Sequence, residues 1–341
     1  MNLKAICSTS KLNLKKWTDF METHPHANIF QTLEMYEVYK ATKNYEPVFL
    51  AITDKDGNIS GSLLAVIQKE HAGLLGTLST RAIIIGGPLI KNNDPKALDY
   101  LLKEYAKIIK RAIYTQFRNL WDWKEQKEIF TKNGFAYEDH LDILFDLSES
   151  EDDLWKGMKN SCRKNINKSY RNNIKVEEIN LGDNKLLIES FNILKNVYLR
   201  IKLPFPDKTL FENAVKYLCN KKYLHTQGAF LQDELIGIRI LLCYKKILYD
   251  WYAGAKDEFL SYKPNDILPW EIMKWGIKNG YEMFDFGGAG KPDIPYGVRD
   301  YKLKFGGKLV NYGRFTKTHK PFLFRTVKFG FKFWQKLNRK L

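Results

Sequence analysis

The feature that most constrains the fold is a hairpin that occurs twice. FLAITDKDGNISGSLLAVI (residues 49–67) and GAFLQDELIGIRILLCY (228–244) each set two apolar, β-rich runs on either side of a short polar turn, with Asp56-Gly57 as the turn signal in the first. Their surroundings repeat as well. NIFQTLEMYEVYK (28–40) has helical spacing and precedes the first hairpin; the strand RAIIIGGPLI (81–90), a helix from Pro95 to about Arg111 and the strand YTQFRN (114–119) follow it. LLIESFNILKNVYLRIKLPFP (186–206) is a helix and its exit before the second hairpin, and PNDILPWEIMKWGIKNGYEMFDFGG (264–288) leads from helix to strand after it. The pattern is an α/β unit used twice, and 341 residues suit two domains.

The boundary falls near residue 150. In SESEDDLW (148–155), Ser148 or Ser150 can cap a helix whose first turn is acidic. The expected division is 1–147, 148–313 and a basic aromatic tail, 314–341. In that tail Phe324, Val327, Phe331, Trp334 and Leu341 follow helical spacing beside Lys328, Lys332, Lys336 and Lys340. A basic amphipathic helix of this kind either lies on an anionic membrane surface or packs its aromatic face on the first domain.

The formal charge of +16 makes a polyanionic partner plausible: RNA, a phosphate-bearing substrate or an anionic bilayer. A lysine-rich proteome explains the excess equally well. Cys7, Cys162, Cys219 and Cys243 lie far apart, without zinc-ligand spacing, and read as free thiols of a reducing cytoplasm. No run approaches the roughly 20 apolar residues of a membrane span, so the expected place is the cytoplasm, with the tail able to reach the inner membrane face. Walker A, GxGxxG, GxSxG and HExxH patterns are lacking, and no metal or tightly bound cofactor is indicated.

In order and spacing, NIFQTLEMYEVYK, RAIIIGGPLI, the segment from Trp155 to Val176, VYLRIKLPFP, DWYAGAKDEFLSYKPNDILPWEIMKWG and FDFGGAGKPDIPYGVRDYKLKFGG together resemble the FemA/FemB/FemX-like peptidyl transferases. The chain is similar to compact members, without a long helical arm. The resemblance implies an α/β (α+β) fold of two tandem GNAT-like domains with mixed central sheets. It implies transfer of an amino acid from aminoacyl-tRNA to an amine of a nucleotide- or lipid-linked peptidoglycan or other cell-envelope precursor.

Family members carry an aromatic-lysine pair at the reaction centre, here Tyr301-Lys302, reached by a chain that turns at Gly287, Gly288 and Gly290. A fixed cation there would stabilise the oxyanion formed when an amine attacks an aminoacyl ester. The plainer alternative is that Tyr301 packs and Lys302 is solvated. Lys304 would share the face of Lys302 if this segment is extended. Arg200 matches an arginine that holds acceptor diphosphate in compact members; it is also an ordinary helix C-terminal arginine. Lys40 would be a second phosphate contact, and Gly87, in Gly86-Gly87-Pro88, would border the acceptor groove. Where relatives place an acid after this turn the chain has Lys91, with Asp94 displaced. Arg163, Lys164, Lys168 and Arg171 form a basic run that either contacts RNA or phosphate or is a solvated helix face. Asp250, Asp257 and Asp285 are possible acids or bases that no pairing singles out.

CoA-dependent GNAT enzymes usually have a glycine-rich turn at a helix N-terminus that cradles pyrophosphate. AKDEFLSYKPNDILPW (255–270) has no glycine, which disfavours CoA. Two rival readings stand: an acyl-CoA-dependent N-acyltransferase acting on an amino-sugar of a surface polysaccharide, and a non-catalytic GNAT-like module that binds RNA or membrane.

Overall fold

The repeated hairpin forms twice, and each copy sits inside a sheet of the same plan. The computed structural model describes residues 3–69 and 80–323. In the first sheet, β1 (Lys4–Ile6), β2 (Tyr45–Thr53), β3 (Ile59–Gln68) and β4 (Arg81–Ile85) pair antiparallel in that order. The short β5 (Leu89–Ile90) pairs with β3, and β6 (Tyr114–Arg118) lies parallel to β4. β7 (Ala136–Glu138) is at the far edge.

The second sheet opens with β8 (Leu141–Asp146) and β9 (Ile174–Glu178), followed by the hairpin β10 (Leu224–Leu231) and β11 (Glu234–Tyr244). β12 (Ile247–Ala255) is antiparallel to β11, β13 (Met283–Gly290) is parallel to β12, and β14 (Lys308–Asn311) borders β8. Along the path β9, β10, β11, β12, β13, β8, β14 the directions repeat those of the first sheet, in which β15 (Arg314–Thr318) stands between β6 and β7. Both copies bulge near the hairpin turn, between Ile52 and Thr53 and between Ala229 and Phe230.

The helices of the first unit are α1 (Leu14–Thr23), α2 (Leu33–Ala41), α3 (Pro95–Ile108) and α4 (Lys127–Lys132). Those of the second are α5 (Glu151–Gly157), α6 (Asn160–Arg171), α7 (Asn184–Arg200), α8 (Thr209–Leu218), α9 (Pro264–Lys278) and α10 (Gly297–Lys302). Cap chemistry accounts for several starts. Asp94 accepts the Lys96 amide with Pro95 next to it, Thr32 accepts that of Met35, and Ser150, one of the two expected caps, accepts that of Asp153 at 3.2 Å. α3 and α9 are equivalent crossovers between parallel strands. In the second unit Ile267, Trp270, Ile272 and Met273 of α9 join Cys162 and Ile166 of α6 over Leu248, Phe284 and Phe286. Ile193 and Leu194 of α7 and Phe211 of α8 cover Leu235, Ile238 and Ile240.

The chain divides into the described residues up to Asp139 with those from Tyr312 on, and His140–Asn311. The expected boundaries differ from this in two places. β8 precedes residue 148 yet pairs with β13, because Phe145 stacks on Phe284 in the second core. Residues 314–318, expected as the start of a tail, form a strand of the first sheet, with the Phe315 and Phe130 rings stacked at 4.0 Å. The proposed helix over 324–341 lies outside the described residues. Among those described, no helix is long and apolar enough to cross a membrane, and all four cysteines are free.

Candidate active site

The two sheets differ where their parallel strands pair. β4 and β6 stay paired from Arg81/Tyr114 to Ile85/Arg118, and the Gly86 amide adds a bond to the Arg118 carbonyl at 2.9 Å. β12 and β13 pair only at Ile247/Met283, Leu248/Phe284 and Tyr249/Asp285, then part. On the β12 side, a bulge takes the register from Ile240/Tyr252 to Leu241/Asp250 and leaves Trp251 unmatched. On the β13 side, Gly287 has φ of +77°, and its amide donates to the Asp285 carboxylate at 2.8 Å instead of continuing the ladder.

The ammonium of Lys302 enters this fork. Nζ donates to the carbonyl oxygens of Phe286 and of Gly288, the latter at 3.1 Å, and lies 5.1 Å from the centre of the Phe286 ring. Two of its three N–H groups are thereby bonded, and one remains for another acceptor. The glycine-rich segment was expected to cross back over the site, with Lys304 on the face of Lys302 if extended. Instead it forms α10 and a 3-10 turn over Leu303–Phe305, since Tyr301 and Phe305 can then pack on Phe286 from one side. Lys304 therefore leaves the face of Lys302, and its charge acts on Asp266 and Cys162.

Tyr301 is placed by a proline. Pro269 stands inside α9 and has no amide to give the carbonyl of Asn265, four residues earlier. The Tyr301 hydroxyl donates to that carbonyl. The tyrosine thus repairs an orphaned acceptor and pins α10 to α9, while the next residue reaches into the fork. Its hydroxyl makes this structural bond and is held strongly protonated by burial.

The fork sits on buried charge. Arg239 of β11 donates to Asp250 of β12 at 2.7 Å, with side-chain exposures of 4% and 10%. The guanidinium lies 5.0 Å from the centre of the Phe286 ring. Burial lowers the Lys302 pKa; the Asp250 charge opposes this, Arg239 adds to it, and Asp285 and Asp142 oppose it further. Burial raises the Asp285 carboxyl to about 6 against the pull of the Gly287 amide and Lys302.

The other predicted residues disperse. Gly288 joins the site through its carbonyl. Arg200, last in α7, pairs with the exposed Asp257. Lys40 in the first unit pairs with Glu37 at 3.3 Å. Gly87 lies against the amide of Gln31, which bonds Ile85 O at 2.8 Å and both Leu64 N and Leu64 O; the turn is closed by this side chain. Arg163 is engaged in the protein, donating to the carbonyls of Trp155, Lys156 and Met158 at the end of α5. Lys164, Lys168 and Arg171 are exposed on α6, opposite the buried Cys162, Ile166 and Ser169.

The N-terminus of α9 bears on the donor. Pro264 supplies no amide, and those of Asp266 and Ile267 both bond the Lys263 carbonyl. The carboxyl of Asp266 is buried in the first turn, accepts from Asn165 at 3.1 Å and has its pKa raised by burial. The Ser169 hydroxyl donates to the Tyr262 carbonyl at 2.9 Å beside it. An anion-binding helix end needs free amides. Here two of the first amides are bonded within the turn and a buried carboxyl stands beside them.

Residues 160–303 match the acetyltransferase (GNAT) domain family. Among solved structures, FemX is similar over 95% of this chain and 99% of its own, at 15% identity and a TM-score of 0.71. A tandem GNAT protein from the clavulanic acid biosynthesis pathway covers 93% of this chain and 99% of its own at 8% identity, with a TM-score of 0.59. The C-terminal domain of a putative lysylphosphatidylglycerol synthetase from Agrobacterium fabrum covers 89% of this chain and 92% of its own at 13% identity and a TM-score of 0.54. A comparison with curated proteins found no match.

Proposed function

We propose that this chain, an acyltransferase with a FemX-like pair of GNAT-fold units, moves an amino acid from aminoacyl-tRNA to an amine of a peptidoglycan or other cell-envelope precursor. The observation that carries the reading is the cation in the fork: Lys302 is half-buried, bonded twice to backbone and left with one N–H. The acceptor amine attacks the aminoacyl ester carbon, and the carbonyl oxygen gains negative charge beside that N–H. Collapse expels the ribose oxygen, which takes a proton as the amide forms. A donor fixed before charge develops favours the transition state over the ground state.

The first turn of α9 supports an ester donor over CoA, since a pyrophosphate there would meet the Asp266 carboxyl and two amides already bonded to the Lys263 carbonyl. Arg200 would hold acceptor phosphate after release from Asp257. Lys164, Lys168 and Arg171 would meet the RNA backbone.

The test is a donor assay. Purified protein is mixed with total aminoacyl-tRNA or, separately, with acyl-CoAs, together with nucleotide- and lipid-linked envelope precursors, and mass shifts are recorded. RNase-sensitive addition of an amino-acid mass is the expected result. Addition from acyl-CoA alone would overturn the donor assignment in favour of N-acyl transfer. Absence of transfer from every donor, with salt-sensitive RNA binding, would leave a binding module.

A further inference from the structure

The apolar side chains that the second unit leaves in water are not scattered. Eleven large apolar side chains are exposed among the described residues, and six of them stand in two short segments of this unit. Leu199, Ile201 and Leu203 form one group and Ile294, Tyr296 and Val298 the other, with exposures from 39% to 64%. A single exposed apolar residue needs no explanation, but a cluster marks a surface that something covers.

Both segments lie at one end of the second sheet. β12 and β13 are parallel, so Ala255 and Gly290 end them on the same side, the side on which they have parted. Residues 291–298 follow Gly290 directly. Arg200 pairs with Asp257, two residues beyond Ala255, which brings Leu199, Ile201 and Leu203 to that end as well. The exposed apolar side chains thus gather where the fork opens.

Each segment is fixed by its own contacts. Past α7, the Leu203 amide donates to the Tyr198 carbonyl at 3.0 Å, and Lys202 takes a φ of +55°. The Phe205 ring then packs 4.8 Å from Tyr198 and 5.3 Å from Phe191, so one ring is anchored and the three aliphatic side chains before it stay outside. After β13, Arg299 donates to the carbonyls of Lys291 at 2.7 Å and of Ile294 at 2.8 Å. A Cβ on Gly290 would lie 2.9 Å from the Tyr296 ring, and the loop closed in this way leaves Ile294 and Val298 exposed.

Charge selects the partner. From Lys195 to Pro206 the chain has three cations, Lys195, Arg200 and Lys202, and no acid. In the second segment Lys291 is offset by Asp293. Aliphatic side chains with cations between them suit an anionic bilayer, whose headgroups meet the cations while the side chains enter the boundary beneath. A second copy of this chain would set the same cations face to face.

We propose that residues 199–203 and 294–298 form a docking surface for an anionic lipid bilayer, which turns the fork toward the membrane. The use of such a surface rests on the proposed reading, in which a lipid-linked precursor is an acceptor; the contact with lipid does not.

The test titrates the full chain with vesicles of phosphatidylcholine, alone or mixed with phosphatidylglycerol, and reads binding by co-sedimentation without substrate. Wild type should bind the mixed vesicles, and more weakly as salt rises. Leu199→Ser with Ile201→Ser and Leu203→Ser should weaken this binding by about 10–100-fold. Ile294→Ser with Val298→Ser should weaken it by about tenfold, and decides the matter if the triple variant melts below wild type. Amino-acid transfer to a nucleotide-linked acceptor should be unchanged in both. Failure of wild type to bind the mixed vesicles, or binding by both variants equal to that of wild type, would overturn the proposal. Loss of a dimer in the variants, in place of loss of vesicle binding, would overturn it in favour of a contact between copies. Vesicle binding that behaves as expected in a protein that transfers no amino acid would keep the surface and refute the reaction; transfer without vesicle binding would do the reverse.

Discussion

Two buried titrations in the second unit oppose each other, and removing one should unmask the other. His225 of β10 stacks on Trp275 at 3.6 Å, and burial lowers its pKa from 6.5 to about 4. The unfolded state binds its proton first as pH falls, so the stability that His225 gives above 6.5 is lost on the way down to 4. Asp285 has the opposite sign. Its folded pKa of about 6 lies above the ordinary 3.8, so the stability it gives is complete below 3.8 and lost as pH rises through 6. Between pH 7 and pH 5 the histidine costs about 2 kcal/mol and the carboxyl returns about 1 kcal/mol. Asp285→Asn removes only the second effect. Its free energy of urea unfolding, measured at half-unit steps against wild type, should therefore compare least favourably near pH 4–5 and improve by more than about 1 kcal/mol by pH 7.5. His225→Phe should show the reverse slope. A pH-independent difference for Asp285→Asn would refute the assignment of a raised, buried carboxyl beside the fork.

Tyr301→Phe should lower stability by about 1–3 kcal/mol, the cost of a buried carbonyl without a donor; proline-free Pro269→Ala with Tyr301→Phe should recover part of it in thermal melts. Arg163→Leu should destabilise the second unit in melts through three lost carbonyl contacts while leaving RNA affinity unchanged. Charge reversal of Lys164, Lys168 and Arg171 should do the opposite, weakening tRNA binding and flattening its salt dependence in filter-binding assays. Gly86→Ala should disrupt the first unit, since its Cβ would lie 2.6 Å from both Asn28 and Leu120 at a φ of +56°; loss of soluble expression or a sharply lower Tm checks it.

The duplicated fold was legible because local signals and tertiary pairing agree. The Asp-Gly turn, the alternating runs and the helix between parallel strands each appear where the residues place them. The strand exchange was not: β8 and β15 each leave the neighbouring stretch of chain to join the other unit's sheet, a long-range choice that periodicity cannot express. At the fork, Lys302 was singled out by resemblance, but the helical turn that carries it was hidden by glycines and prolines. Arg239 and Asp250 were visible in outline, as a lone cation in GIRILLC and an acid on the next strand. The signal missed was that a buried arginine demands a partner. The purpose of Tyr301 was likewise written in Pro269, four residues after Asn265, but only the packing of α10 on α9 connects them.

The most direct measurement is the single-turnover rate of amide formation by Lys302→Met with saturating aminoacyl-tRNA and acceptor. The account predicts a rate lower by about 10²–10³-fold, the usual cost of losing one oxyanion donor, with acceptor affinity within a few-fold of wild type. A rate near wild type, or a loss confined to acceptor binding, would contradict it.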